Sequence, residues 1–184
     1  MADSKEAILF ERAVPAGDTH ERDVCVRCGH IAYENPKIVA GSVVQSDDGR
    51  YLLCRRAIEP GYGLWTLPAG YLELHESPEA GAMREAREEA CADIAILGLL
   101  AVYTIPHISQ VQLIYRARLE SGFSAGEESL DVALFHWDDL PWDDLAFPSV
   151  HWALLQARSV DEDGLEPPFQ NPAGALGEAT LARR

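Results

Sequence analysis

Glu85, Glu88 and Glu89 stand in the run Arg84-Glu85-Ala86-Arg87-Glu88-Glu89. On a helix, positions three and four apart share a face, so this spacing brings three carboxylates together. Like charges so placed destabilise a helix by a few tenths of a kcal/mol per pair, and by more where water is excluded. A cation among them removes that cost. All-oxygen donors suit Mg²⁺, with Mn²⁺ as the alternative, ions that keep several waters and bridge to phosphate oxygens. Taken alone, the run is more simply read as a solvated acidic face on which Arg84 and Arg87 make ordinary ion pairs.

The chain around the run supplies elements to position it. Ser77-Pro78 has the chemistry of a helix N-cap and first turn, and the helix is expected to reach about Ala90. Upstream, the apolar stretch 38–44, the turn Asp47-Asp48-Gly49 and the stretch 50–55 read as a β-hairpin, followed by a Gly/Pro-punctuated passage from Pro60 to Gly70. Downstream, 94–105 reads as a strand. Val111, Leu113, Tyr115, Ala117 and Leu119 then alternate with Gln110, Gln112, Arg116 and Arg118, the period of a half-buried strand. A further strand at 132–137 and a helix from Pro148, with Val150, Leu154 and Ala157 on one face, complete the pattern. Strands interleaved with two helices indicate an α/β fold, a mixed sheet covered by helices.

With 184 residues and 47% hydrophobic content, the chain suits one principal core. Its net charge of −15 repels nucleic acid and anionic membranes, so neither is expected as a partner. No apolar run reaches the roughly 18 residues of a membrane span, and the first residues lack the basic-then-apolar order of a secretion signal. A cytoplasmic location is the expectation.

Beyond the glutamate run lies a longer pattern: Gly70, Glu76, Arg84, Glu85, Glu88 and Glu89, with apolar Ala86 and Ala92. Six fixed types at such spacing coincide by chance on the order of once per ten million positions. The pattern resembles the Nudix box, Gly-x5-Glu-x7-Arg-Glu-U-x-Glu-Glu-x-Gly-U with U apolar. Cys91 departs from it, standing at the second glycine. The likeness runs from about Cys25 to Leu154 and includes Tyr33-Glu34-Asn35-Pro36-Lys37, the stretch Leu64 to Tyr71, and Glu128-Ser129-Leu130. It is nearest to the zinc-ribbon-bearing Nudix hydrolases of bacteria and their plant organelle relatives that act on FAD and ADP-ribose.

That resemblance implies an α/β/α sandwich with a mixed sheet, spanning residues 35–160, between a short irregular N-terminal extension (1–34) and a flexible tail (161–184). It further implies that Glu85, Glu88, Glu89 and the Ala69 carbonyl bind the metal, while Arg84 orients the glutamates through Glu76. The implied reaction is hydrolysis of the diphosphate of ADP-ribose or FAD with release of AMP. Nucleoside triphosphates or NADH, or a noncatalytic nucleotide-sensing role, are the alternatives. In related enzymes an additional glutamate, from the helix (here Glu88) or from a loop after it, serves as base or extra ligand, and Glu128 in the matching loop Gly126-Glu127-Glu128-Ser129 is the favoured candidate. Tyr103, His107 and Gln110, between two strands, are candidates for holding a base or ribose. The Ser-Gln-Pro-Trp-Pro-Phe-Pro signature of relatives specific for nicotinamide dinucleotides is missing, which disfavours NADH. A homodimer is compatible with the resemblance.

Four cysteines form no disulfide framework in a chain this long. Cys25-x2-Cys28-Gly29 is half of a zinc ribbon, whose tetrahedral site needs four ligands. Since Met1 to Phe10 contains no cysteine, bound zinc is not expected.

Overall fold

The computed structural model describes residues 9–178 and divides the chain into two compact units, 1–35 and 36–184. The first unit departs from the expected irregular extension. Strands β1 (Phe10–Ala13), β2 (Arg22–Cys25) and β3 (Ile31–Ala32) pair as an antiparallel sheet in the order β1-β2-β3. Such short strands, two to four residues each, carry no periodicity that the sequence alone displays. The tight turn between β2 and β3 places Cys25 and Cys28 together, with Gly29 at φ 71° donating its N–H to the Cys25 carbonyl at 2.9 Å.

The second unit is the expected α/β/α sandwich. Its strands are β4 (Lys37–Gln45), β5 (Tyr51–Arg56), β6 (Trp65–Thr66), β7 (Ala69–Tyr71), β8 (Ile94–Ile105), β9 (Gln110–Leu119) and β10 (Ser129–Phe135). The helices are α1 (Pro78–Ala90) and α2 (Pro148–Asp163). The sheet runs β10-β5-β4-β9-β8, with β6 beside β5 and β7 beside β4. Because β4 and β9 are parallel and the other pairs antiparallel, the sheet is mixed.

Alternation along the central strands sorts their side chains between two cores. Val43, Tyr51 and Leu53 meet Val150, Ala153 and Leu154 of α2 on one face, while Val44, Leu52 and Cys54 meet Ala86 and Ala90 of α1 on the other. The buried side of α1 consists of Gly81, Ala82, Glu85, Ala86, Glu89 and Ala90, so small residues let it lie close on the sheet and carry two glutamates inward. At Gly81 a Cβ would stand 2.9 Å from Leu72 Cδ1 and 3.3 Å from Ala40 Cβ, a contact too tight for a larger residue.

Helix α1 begins where Ser77 accepts the Ala80 N–H at 3.2 Å. Its end is Cys91, in the left-handed conformation at φ 46°, with Cys91 N–H donating to Arg87 O and Ala92 N–H to Ala86 O. The turn that a glycine ordinarily makes is thus retained by a residue for which it is strained. Cys91→Gly is expected to raise stability by about 1 kcal/mol, measured as a higher urea midpoint; an unchanged or lower midpoint would contradict the strain.

The tail also differs from expectation over its described part. Phe169 donates its N–H to Leu100 O and accepts from Val102 N–H, and Asn171 exchanges side-chain hydrogen bonds with the backbone of Thr104. These contacts satisfy the open edge of β8, the outermost strand. Pro and Gly content concealed this role, because edge covering needs only a few properly placed residues.

Candidate functional site

The site is built where β7 faces α1. Strand β7 pairs with β4 in the register Val39 to Tyr71, Ala40 to Gly70 and Gly41 to Ala69, so the backbone groups of Ala69 and Tyr71 alternate away from β4. The Ala69 N–H donates to Glu89 Oε2 at 3.1 Å, and the Tyr71 carbonyl accepts from Arg84 Nη2 at 2.9 Å. Between them Gly70 has no side chain to spare: a Cβ there would lie 2.4 Å from both carboxylate oxygens of Glu85. The box glycine is therefore the space that the Glu85 carboxylate fills.

Arg84 organises the acidic side chains. Its Nη2 and Nε donate to Glu76 at 2.9 and 3.3 Å, while Nη1 donates to Glu85 Oε1 at 2.7 Å and Glu88 Oε2 at 2.6 Å. Glu76 in turn accepts the Glu73 N–H, which fixes the loop leading into α1. Arg84 holds the Glu76 carboxyl below its ordinary pKa, and the same contacts raise that of the guanidinium, Glu76 contributing most. Arg84, tied to Glu76, thus holds one oxygen each of Glu85 and Glu88.

Burial decides the state of the other carboxylates. Glu85 is shifted upward by desolvation, against the opposing pull of Arg84. Glu89, only 6% exposed, is pushed up to about 8, chiefly by desolvation and also by the charges of Glu85 and Glu128. Two buried carboxyls that resist ionisation next to an exposed Glu88 form a donor set in want of positive charge. A hard divalent cation fits this set, since all its donors are oxygens and the Ala69 carbonyl faces away from β4 on the same side as Glu89. In the arrangement adopted here Arg84 takes one oxygen each of Glu85 and Glu88, and among the described residues no three His, Cys, Asp or Glu side chains converge on one point.

Glu128 comes to the site by a loop that the helix end receives. Ser124 and Gly126 donate their N–H groups to Ala90 O and Glu89 O at 2.9 and 3.0 Å, and Ala57 N–H donates to Glu128 O at 2.8 Å. At Gly126 a Cβ would fall 1.8 Å from the Glu88 carbonyl oxygen, so only glycine allows this docking. The Glu128 side chain is exposed, and its charge reaches both Glu85 and Glu89. Gly126 carries no chemical group, and nothing short of the folded loop reveals its role.

The nucleoside-binding candidates separate. Tyr103 is fully buried, packs edge-to-face on Trp152 at 5.3 Å and donates its hydroxyl to Gln156 Oε1 at 2.6 Å. It belongs to the core, which corrects its reading as a substrate contact: on β8 its side chain falls on the α2 face. His107 is exposed in the 3-10 turn (Pro106–Ile108) that joins β8 to β9. Gln110 opens β9 opposite Lys37, where its Oε1 accepts from Gln112, and the Lys37 ammonium lies 5.2 Å from the centre of the Tyr71 ring. Register therefore sets Gln110 on the opposite edge of β4 from β7, while His107 stands at the hairpin tip.

A family model of the NUDIX domain matches residues 35–175. The chain belongs to the Nudix hydrolase family. A NUDIX hydrolase from Nitrosomonas europaea is 40% identical, with a TM-score of 0.82 over 91% of this chain and 96% of its own. A MutT-like protein of Streptomyces ambofaciens is 42% identical over 84 residues, which are 46% of this Nudix chain and 52% of that protein. This chain thus spans about half the length of that relative. An ADP-ribose pyrophosphatase of Methanocaldococcus jannaschii is 26% identical over 59% of this chain and 67% of its own.

The Nudix N-terminal zinc-ribbon model matches residues 9–34. The expectation of a zinc-free remnant therefore does not carry forward. The backbone N–H groups of Arg27 and Cys28 point to the Cys25 sulfur and hold its thiol below its usual pKa, an arrangement suited to a metal-binding thiolate. Cys25 and Cys28 supply two of the four ligands of a tetrahedral site, and among the described residues no third His, Cys, Asp or Glu joins them. Cys54, in contrast, is 1% exposed and serves as a small core residue.

Proposed function

We propose that this chain is a divalent-cation-dependent pyrophosphohydrolase that splits the diphosphate of ADP-ribose or FAD, releasing AMP, with Mg²⁺ as the working ion and Mn²⁺ as a substitute. The observation that supports it most is the convergence of three carboxylates, Glu76, Glu85 and Glu88, on the Arg84 guanidinium, with Glu89 buried beside them. Glu85, Glu88, Glu89 and the Ala69 carbonyl would hold the cation. When bound, it neutralises the diphosphate, lowers the pKa of the attacking water and stabilises the departing phosphate. Without it a carboxylate and a phosphate about 4 Å apart repel by roughly 4 kcal/mol at an effective dielectric of about 20.

The protein's own groups then divide the work. Arg84 holds Glu85 and Glu88 in place, tied to Glu76 and the Tyr71 carbonyl. Glu128, exposed on its docked loop, accepts the proton of the attacking water. Glu128→Gln is expected to lower kcat about a hundredfold and leave KM within a factor of two or so; an unchanged kcat removes Glu128 from the mechanism.

The function itself is tested by a substrate panel of ADP-ribose, FAD, NADH and nucleoside triphosphates, with AMP or pyrophosphate release read with and without Mg²⁺. Turnover of ADP-ribose or FAD that vanishes in chelator and returns with Mg²⁺ is the expected result. A triphosphate preferred at least tenfold would assign a different substrate, and nucleotide binding without turnover would make the chain a sensor.

A further inference from the structure

Among the described residues most arginines of this acidic chain find carboxylates. The half-buried ones pair as Arg22 with Asp18, Arg50 with Asp48, Arg84 with Glu76, Arg116 with Asp161 and Arg158 with Glu162. Arg56 is the exception: it is half-buried, yet among the described residues no carboxylate lies within ion-pair distance of it. Its side chain is nevertheless tightly held. Nε donates to the Pro60 carbonyl at 2.8 Å, the guanidinium carbon lies 5.2 Å from the centre of the Phe147 ring, and Gly61, at φ 81°, would place a Cβ 3.6 Å from Arg56 Cδ.

The position of Arg56 gives this arrangement meaning. It ends β5 opposite Ser129 of β10, and its neighbour Ala57 donates to the Glu128 carbonyl, so it borders the loop that carries Glu128. Its charge offsets part of the burial that drives the Glu89 carboxyl upward. A guanidinium fixed through Nε and through its face keeps both terminal nitrogens for a ligand, and that fork matches the oxygens of a phosphate. Fixing it in advance lowers the entropy lost on binding.

We propose that Arg56, steadied by Phe147 and the Pro60 carbonyl, binds the substrate phosphate that lies farther from the helix glutamates. This rests on the pyrophosphohydrolase reading above. The cation then serves one phosphate and Arg56 the other, so that the diphosphate is held at both ends of the bond to be broken. Arg56 would touch substrate and take no proton.

The test measures kcat and KM for the diphosphate substrate with saturating Mg²⁺, and the affinity for inorganic pyrophosphate, in Arg56→Gln, Arg56→Lys and Phe147→Leu. Arg56→Gln is expected to raise KM and weaken pyrophosphate binding by at least tenfold, Arg56→Lys to recover part of that loss, and Phe147→Leu to give a smaller rise. Added guanidinium ion should partly restore Arg56→Gln. A folded Arg56→Gln with KM and pyrophosphate affinity within twofold of the parent would overturn the assignment. So would a lowered Tm without any change in KM, or equal KM values for Arg56→Lys and Arg56→Gln. If Arg56→Gln does not fold, Phe147→Leu and Arg56→Lys carry the decision on the same readouts. Loss of the assignment with parental diphosphate cleavage intact leaves the proposed function standing; a parent that cleaves no diphosphate removes that function first.

Discussion

Glu85→Gln is expected to lower kcat for diphosphate cleavage about a thousandfold at saturating Mg²⁺, with the fold retained. The amide keeps the size of the carboxylate that fills the space over Gly70, and its oxygen can still accept from Arg84 Nη1. What it loses is the negative charge. A cation in a site largely shielded from water contributes several kcal/mol to a transition state that gathers charge on phosphate, and about 4 kcal/mol corresponds to roughly a thousandfold in rate. Steady-state kinetics across a Mg²⁺ titration, with the thermal midpoint as a check on folding, decides the matter. A kcat within tenfold of the parent at saturating metal would mean that Glu85 does not hold the cation.

The second large effect joins function to stability. Glu89 is buried and its carboxyl is pushed up to about 8 from an ordinary value near 4.5, principally by desolvation. A carboxyl raised in the folded state contributes stability that is fully present below its unfolded pKa and lost as pH rises through the folded one. In chelator the protein is therefore expected to lose a few kcal/mol between about pH 5 and pH 8 from this group alone. Glu89→Gln removes that loss while retaining an acceptor for the Ala69 N–H. At pH 8 without metal the variant should melt several degrees above the parent, whereas added Mg²⁺ should stabilise the parent more than the variant and restore little activity to the variant. Equal melting temperatures at pH 8, or parallel pH profiles for the two proteins, would show that Glu89 carries no such penalty.

Both substitutions fall on the side of α1 that is buried, and each removes a charge from it. Glu88 lies toward solvent, whereas Glu85 and Glu89 turn toward the sheet with Gly81, Ala82, Ala86 and Ala90. A site that confines charge on its buried side is destabilised until a cation arrives, and removing the charge relieves the fold while it ends the chemistry.

Local chemistry made much of this readable in advance. The cap at Ser77-Pro78, the end of α1 at Ala90 and the limits of β8 and β9 follow from capping preferences and from periods of 3.6 and 2 residues, and the structure reproduces them, whereas burial along β9 does not alternate, since Ile114 and Tyr115 are both buried. Arg84, Glu76, Glu85 and Glu88 meet because they share one helix and the loop before it, so their spacing already implies their contact. Tyr103 was misjudged since alternation does not say which face of a strand meets which helix. The three short N-terminal strands and the strap at Phe169 depend on backbone pairing, to which side-chain patterns contribute little.

The amino-acid sequence by itself determined the family, the helix that bears the glutamates and the kind of ion those oxygens suit, since each is a matter of residue type and short-range spacing. Only the tertiary structure decided that Glu85 and Glu89 are buried while Glu88 is not, that Gly126 must be glycine for Glu128 to approach, and that Arg56 stands clamped with no acid partner among the described residues. The reason is physical: desolvation, close approach and the absence of a counter-charge arise between segments far apart in the chain, and they exist only once the sheet has brought those segments together.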